Sequence, residues 1–393
     1  MSWHRLICAC RSLFAAGIML LCAASASAQH APLPLDPGLI PGKQGTVISA
    51  EPTDGAPQGA VAYRFLYRST GLHGEPISVS ALAVIPTGAP GDRPIVAWDH
   101  PTSGIITRCA PSLARKRYQF IPGLRAMIAR GWVVVATDYP GLGTPGPHPY
   151  LVGDSEAHAT LDAVRAVHDL PGAKAGPRFA VWGHSQGGHA ALFTALEATR
   201  YAPELDLVGV AAAAPATDLA ALLGADLDTP AGQNLTAMTL WSWSQVFGAS
   251  TDKVLDPEAD ATVDRLAKEC IESIYDLELR KLTTRPLRSH FLAQPDFAQK
   301  EPWAQLMAAN TPGVVAPNVP VFLAQGTKDQ IVRPEITRAY MARLCRAHVA
   351  VRMDWVDGAG HGFVAYKSAA VTIAWIGDRF AGAPAPSDCG AAR

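Results

Sequence analysis

A mostly parallel β-sheet with helices on both faces is predicted by three features of this 393-residue chain. Short, continuously apolar runs recur along it, as strands buried on both faces require. Stretches of helical period separate those runs. The alternation then breaks once, over residues 217–311, where helical pattern appears without a clear strand. A structureless loop of that length is improbable, so an inserted helical cap is expected there.

The elements follow in order. "AVAYRFLYRST" and "ISVSALAVIP", joined by "GLHGEP", read as two strands of a hairpin. "PIVAWDH" and "WVVVATDY" are buried strands, with "GLRAMIARG" as a helix between them. "SEAHATLDAVRAVHDL" has the spacing of an amphipathic helix. "RFAVWG" is the next strand, "GGHAALFTALEATR" the next helix and "LDLVGVAAAAP" the strand after it. Within 217–311, "DLAALLGADL", "AMTLWSWSQVFG" and "DATVDRLAKECIESIYDL" each read as one helical piece. The alternation resumes with strand "VPVFLAQG", helix "PEITRAYMARLCRAH", strand "VAVRMDWVDG" and helix "AAVTIAWIGDRFA". The expected division is an export segment over 1–28, a core over 29–216 and 312–393, and a helical insertion over 217–311.

Composition suits a large globular protein, with 49% hydrophobic and 17% charged residues. A formal net charge of -1 gives no electrostatic case for nucleic acid. The chain opens with basic residues and an apolar run, then Ala26-Ser27-Ala28, the pattern of a cleavable export signal. The apolar run is too short to span a bilayer, so export without a stable membrane anchor is expected. The proline-rich stretch 29–43 reads as an extended arm. Cleavage near Ala28 leaves Cys109, Cys270, Cys345 and Cys389, an even number suited to an oxidising compartment. Three pairings of these four are open. No CxxC or HExxH is present, so no metal site is expected, and no cofactor.

The chemistry centres on "GHSQG", Gly183, His184, Ser185, Gln186 and Gly187, placed between a buried strand and a helix. Such a turn strains the serine backbone and lifts its hydroxyl to a helix N-terminus, where negative charge is favoured. Small residues at 183 and 187, with Gly188, relieve crowding against the adjoining elements. A serine needs a base, and the base an orienting acid. Asp329 follows a late strand in "GTKDQIV", and His361 stands in the Gly-flanked loop "GAGHGF" after the next one. Asp354 falls within a strand and Asp357 in a turn. His148, His158, His168, His290 and His348 read as surface or helix residues. One oxyanion donor is expected to be the Gln186 amide, the other to come from "WDHPTSG", with Asp99 and His100 as candidates. Asp138 and Tyr139, in a Pro- and Gly-rich loop, are placed to brace the nucleophile loop or to meet substrate. Trp241, Trp243 and Phe247 are expected to pack into the core of the insertion. Asn234 begins a glycosylation sequon whose use depends on the host.

"VAWDHPTSGI…CAPS", "DYPGLGTPGPHPYLVG", "GHSQGG", "GTKDQIV" and "GAGHGF" together resemble the secretory lipase family. The resemblance implies an α/β-hydrolase fold with a helical cap, and Ser185, Asp329 and His361 as the catalytic triad. It also implies Asp99 and the Gln186 amide as the oxyanion station, although Gln186 stands where a fungal member of that family has Gly. It implies a Cys109–Cys270 bridge from cap to core, which leaves Cys345–Cys389 to hold the C-terminal tail. The expected function is hydrolysis of carboxylic esters, as a lipase or as an esterase on short-chain or aryl esters. A non-catalytic binding protein on the same scaffold is the alternative of another class. The expected partner is a small-molecule ester or lipid, with only transient contact at a lipid interface, and the expected location is the periplasm or the medium.

Overall fold

The computed structural model describes Ile40 and residues 42–392, apart from 89, 226, 228 and 273. The expected export segment, with Cys8, Cys10 and Cys22, and most of the proline-rich arm lie outside these residues. The described residues form a nine-stranded sheet in the order β1-β2-β3-β5-β4-β6-β7-β8-β9. The strands are β1 (Val47–Pro52), β2 (Ala60–Thr70), β3 (Pro76–Pro86), β4 (Arg93–Asp99), β5 (Val133–Thr137), β6 (Ala175–His184), β7 (Asp206–Ala213), β8 (Val321–Gly326) and β9 (Val351–Val356). The first three and the β3–β5 pair are antiparallel, and every later pair is parallel.

The helices packed on the sheet are α1 (Leu124–Ala129), α2 (Gly153–Val167), α3 (Gln186–Tyr201) and α9 (Pro334–Arg346), which join strands, and α10 (Val364–Phe380), which follows the last one. Side chains along a strand alternate between faces, so a continuously apolar strand feeds two cores at once. Ile95 and Ala97 of β4, with Phe179 and Val181 of β6, pack with α2, α3 and α9. Val96 and Trp98, with Ala180 and Trp182, pack with α1 and α10 on the opposite face. Strand β1 was not anticipated. Its "VISAEP" is partly to fully exposed at the edge of the sheet, so no apolar run announces it.

Between β7 and β8 the chain forms α4 (Leu219–Ala225), α5 (Pro230–Phe247), α6 (Asp260–Ala267), α7 (Ile274–Thr283) and α8 (Trp303–Ala309). Helix α5 starts where Thr229 accepts a hydrogen bond from the Gly232 amide, and Gly248 ends it at φ 64°. Trp243 is fully buried, stacked at 6.1 Å on Trp303 and edge-on at 5.9 Å to Phe247, and its indole N–H donates to the Tyr150 carbonyl. These aromatics belong to a third apolar core formed largely by this segment.

"DATVDRLAKECIESIYDL" forms two helices rather than one. After α6 the chain turns away, so that the Ile271 amide reaches the Ser103 carbonyl and Cys270 joins Cys109. The Arg280 guanidinium from α7 donates to the carbonyls of Leu266 and Glu269 where the helix breaks. Gly104, at φ 136°, lies under the bridge, where a Cβ would sit 2.5 Å from the Cys109 sulfur. Replacing both Cys109 and Cys270 by Ser is expected to cost about 2–5 kcal/mol, because the bridge closes a long loop. Urea unfolding reads this effect, and an unchanged midpoint would contradict it.

The second bridge, Cys345–Cys389, ties the C-terminal tail to α9. Beside it the Asp388 amide donates to the Val351 carbonyl at 2.7 Å, and its carboxylate accepts from the Met353 amide at 2.8 Å. Arg352 pairs with the same carboxylate at 3.0 Å. The tail thus lies along β9, the last strand of the sheet.

Candidate active site

Ser185 links β6 to α3 with φ 58° and ψ −117°, a conformation that L-residues adopt only under constraint. The constraint is visible in the neighbouring glycines. A Cβ at Gly183 would lie 1.9 Å from the Gly187 carbonyl oxygen, and one at Gly187 would lie 1.9 Å from that of Asp99. At Gly188 it would come within 2.9 Å of Pro215. The three glycines let helix, strand and the end of β4 meet closely enough to hold the turn.

The Ser185 hydroxyl lies 2.8 Å from His361 Nε2, and His361 Nδ1 lies 2.8 Å from Asp329 Oδ2. His361 occupies a single turn between β9 and α10, and Asp329 follows β8. The other Asp329 oxygen accepts from the amides of Ile331 (2.9 Å) and Val332 (3.0 Å), and the Gln325 amide group donates to Oδ2. Burial alone pushes the Asp329 carboxyl up. The His361 ring and the two amides outweigh it, and the carboxyl is held below its ordinary value. An ionised Asp329 fixes the proton on His361 Nδ1 and leaves Nε2 free to accept from Ser185. Asp357 instead accepts from Thr327 at the surface, and Asp354 stays within β9.

His184 has a part that the sequence did not suggest. Its Nε2–H donates to the His361 carbonyl at 3.0 Å, which steadies the loop that carries the base. Burial, with the neighbouring His361, lowers His184 to about 3, so the ring is neutral and serves as a pure donor there.

Asp99 and His100 end β4 beside the turn and are buried. Asp99 pairs in register with Gly183, and its Oδ1 accepts from Thr160 of α2. Burial, supported by the charge of Glu156, pushes the Asp99 carboxyl well above the usual carboxylate range, although the Thr160 bond offsets part of this. The Gln186 side chain turns away from solvent and donates to Glu156 at 2.8 Å.

Two expectations need correction. His148 is neither a surface nor a helix residue but fully buried in the loop after β5, where its Nδ1 donates to the Pro140 carbonyl. Asp138 and Tyr139 do not brace the nucleophile turn. The Asp138 carboxylate accepts from Ser80 and from the Ser112 hydroxyl and amide, and the Tyr139 hydroxyl donates to the His100 carbonyl. Both therefore hold the loop that follows β4. Asn234 is buried and accepts from Arg280, which leaves no room for a glycan. Sequence reasoning also missed Glu156 and His189. No local signal marks them, because α2 also carries Asp154, His158, Asp162 and Arg165.

Ser185 lines a narrow cavity of about 20 Å³. Its walls are mainly apolar, with Leu219, Leu222, Leu223 and Leu235 from α4 and α5, and Ile331 and Val332 from the acid loop.

A mostly parallel sheet with a strained Ser at a strand–helix turn defines an α/β-hydrolase fold. The chain belongs to the secretory lipase family, which matches residues 121–388. It is 25% identical over 347 residues to a Mycobacterium tuberculosis protein named "probable inactive lipase", covering 84% of this chain and 75% of that one. It is also 25% identical over 366 residues to a secreted triacylglycerol lipase of Malassezia globosa, covering 86% and 76%. Among solved structures it resembles the closed state of Candida antarctica lipase A, with TM-score 0.72, 19% identity and coverage of 87% and 84%. It also resembles the rice cell wall degrading esterase LipA of Xanthomonas oryzae, with TM-score 0.70, 22% identity and coverage of 84% and 96%.

Proposed function

We propose that this chain is an exported serine hydrolase of carboxylic esters, with Ser185 as nucleophile, His361 as base and Asp329 as orienting acid. The observation that carries this reading is the unbroken hydrogen-bond chain Asp329–His361–Ser185 at a strained strand–helix turn. Ser185 Oγ attacks the ester carbonyl carbon while His361 Nε2 takes the hydroxyl proton. The resulting oxyanion faces the Gln186 amide at the N-terminus of α3, with the end of β4 at Asp99 as the second station. Collapse of that intermediate expels the alcohol, which leaves with the proton held on His361. A water then gives its proton to His361 and attacks the acyl-serine, and the acid departs.

Membership in a secretory family and two disulfides support export. Among the described residues no helix is long and apolar enough to cross a membrane. Cleavage near Ala28 is part of the proposal, as is the division into a core over 29–216 and 312–393 with a cap over 217–311. Retention of all three triad residues supports activity in this chain, whatever holds for the mycobacterial relative.

Within this class, a long-chain lipase and a short-chain esterase are two readings that acyl-chain preference divides. A space of about 20 Å³ holds roughly one water molecule. Any acyl chain, short or long, has to displace leucines of α4 and α5 to reach Ser185. Two measurements test the proposal. A fluorophosphonate should label Ser185, and an unlabelled protein would mean a binding function instead. Across p-nitrophenyl esters from acetate to stearate, a fall of kcat/KM with chain length marks an esterase, and a rise toward stearate marks a lipase.

The acid assignment makes a separate prediction. Asp329→Asn keeps the shape but favours the wrong His361 tautomer, so kcat should fall by about 10⁴-fold. Asp357→Ala should stay within about twofold of the parent, as expected of an exposed turn residue. The reverse ranking would move the acid to Asp357.

A further inference from the structure

Behind the nucleophile turn lies a buried polar chain that the ester mechanism does not use. Glu156 of α2 and His189 and Gln186 of α3 are all buried, as is His148. Glu156 Oε2 lies 2.7 Å from His189 Nδ1, and Oε1 accepts from the Gln186 amide group at 2.8 Å. The same amide nitrogen lies 3.0 Å from His148 Nε2, and His189 Nε2 lies 2.7 Å from the Asn310 carbonyl.

The proton positions follow from the acceptors. The Pro140 and Asn310 carbonyls can only accept, so His148 Nδ1 and His189 Nε2 each carry a proton. Burial lowers His148 to about 3, so its Nε2 is a bare lone pair that accepts from Gln186. A proton must also stand between His189 Nδ1 and Glu156 Oε2, whichever of the two owns it. Both N–H bonds of the Gln186 amide are then engaged, one with Glu156 and one with His148.

We propose that Glu156 is a positioning residue for the ester hydrolase read above. It clamps Gln186 and His189, both in the first turn of α3, and so fixes the Gln186 backbone amide at the place where the oxyanion develops. The turn has a reason to need this. Ser185 sits in a strained conformation, and the Gln186 amide is useful only at hydrogen-bond distance from an atom that moves as the carbonyl becomes tetrahedral. A displacement of about 1 Å is enough to cost two orders of magnitude in rate. Because the clamp acts on an interaction made in the transition state, its loss should lower kcat and leave KM nearly alone.

Glu156→Gln separates position from charge. A glutamine carbonyl still accepts from Gln186, and its amide donates to a neutral His189 Nδ1, so each bond of the chain survives. Glu156→Ala removes both. The test is p-nitrophenyl acetate hydrolysis by the parent and by both variants, with fluorophosphonate labelling and thermal melting alongside. Glu156→Ala should lose about 10- to 100-fold in kcat with KM within about twofold, and Glu156→Gln should recover most of the loss. A folded Glu156→Ala with unchanged kcat, or a Glu156→Gln as slow as the alanine variant, would overturn the positioning role. If Glu156→Ala does not fold, Gln186→Ala keeps the backbone amide and severs the clamp from the other side. With the Glu156–His189 bond left in place, it should show a kcat loss no larger than that of Glu156→Ala, and parent-like turnover would overturn the proposal. A parent enzyme that fails to label at Ser185 would remove the hydrolase reading itself. Parent labelling with an unaffected Glu156→Ala would remove the clamp alone.

Discussion

Replacing Ser185 or His361 by alanine should lower kcat by about 10⁴- to 10⁶-fold while the protein melts as the parent does. The size of the loss follows from how the groups act. Without the hydroxyl no acyl-enzyme forms, and without the imidazole the hydroxyl proton has no acceptor, so either deletion removes the covalent route. The double variant should therefore be little slower than either single one. Both residues sit at the ends of loops with their polar atoms turned toward each other, so truncation leaves the apolar cores intact. A substantial residual rate in both variants would point to another nucleophile, and a collapse of melting temperature would mean that the loops depend on the bond between them.

The second large effect is on folding. Gly187→Ala should destabilise the protein by more than about 4 kcal/mol or abolish soluble expression, because its Cβ would overlap the Asp99 carbonyl at 1.9 Å. Backbone on both sides cannot yield as the end of a flexible side chain can. Relief would require α3 to move off the end of β4, and that movement would carry Ser185 away from His361. Gly224→Ala is the control. That glycine lies in α4, with its nearest neighbour 3.9 Å from the added Cβ, so the change should be neutral or gain up to about 1 kcal/mol. Equal melting temperatures for the two variants would show that the close approach at 187 is not limiting.

The contrast shows what a sequence can disclose. Ser185 and Asp329 were legible because each stands just past a buried strand, and His361 because glycines flank it in the loop after the next strand, and these signals are local. The doubly buried strands were legible for the same reason. Strand β1 was not, because an exposed edge strand needs no apolar run. The break between α6 and α7 was not, because a bridge to Cys109 sets it from far away in the chain. The Glu156–His189 pair was hidden for a related reason. It arises only when α2 packs on α3, and each residue taken alone looks like an ordinary polar position on a helix. His148 was misread because a histidine in a Pro- and Gly-rich loop looks solvent-exposed until that loop is covered by α5, whose Ser242 donates to the His148 carbonyl.

The tail along β9 bears on how the protein avoids self-association. The last strand of a sheet offers unpaired amides and carbonyls to any other extended chain, and natural proteins blunt such edges. Here Asp388 occupies the outward-facing Val351 carbonyl and Met353 amide, and Arg352 adds a charge at the same place. The Cys345–Cys389 bond keeps this cover attached. A polypeptide held reduced, as in a cytoplasm, would keep its sheet but could shed the cover, leaving an edge open to pairing with a second copy. Aggregation during recombinant production would then follow the redox state of the compartment rather than the strength of the core.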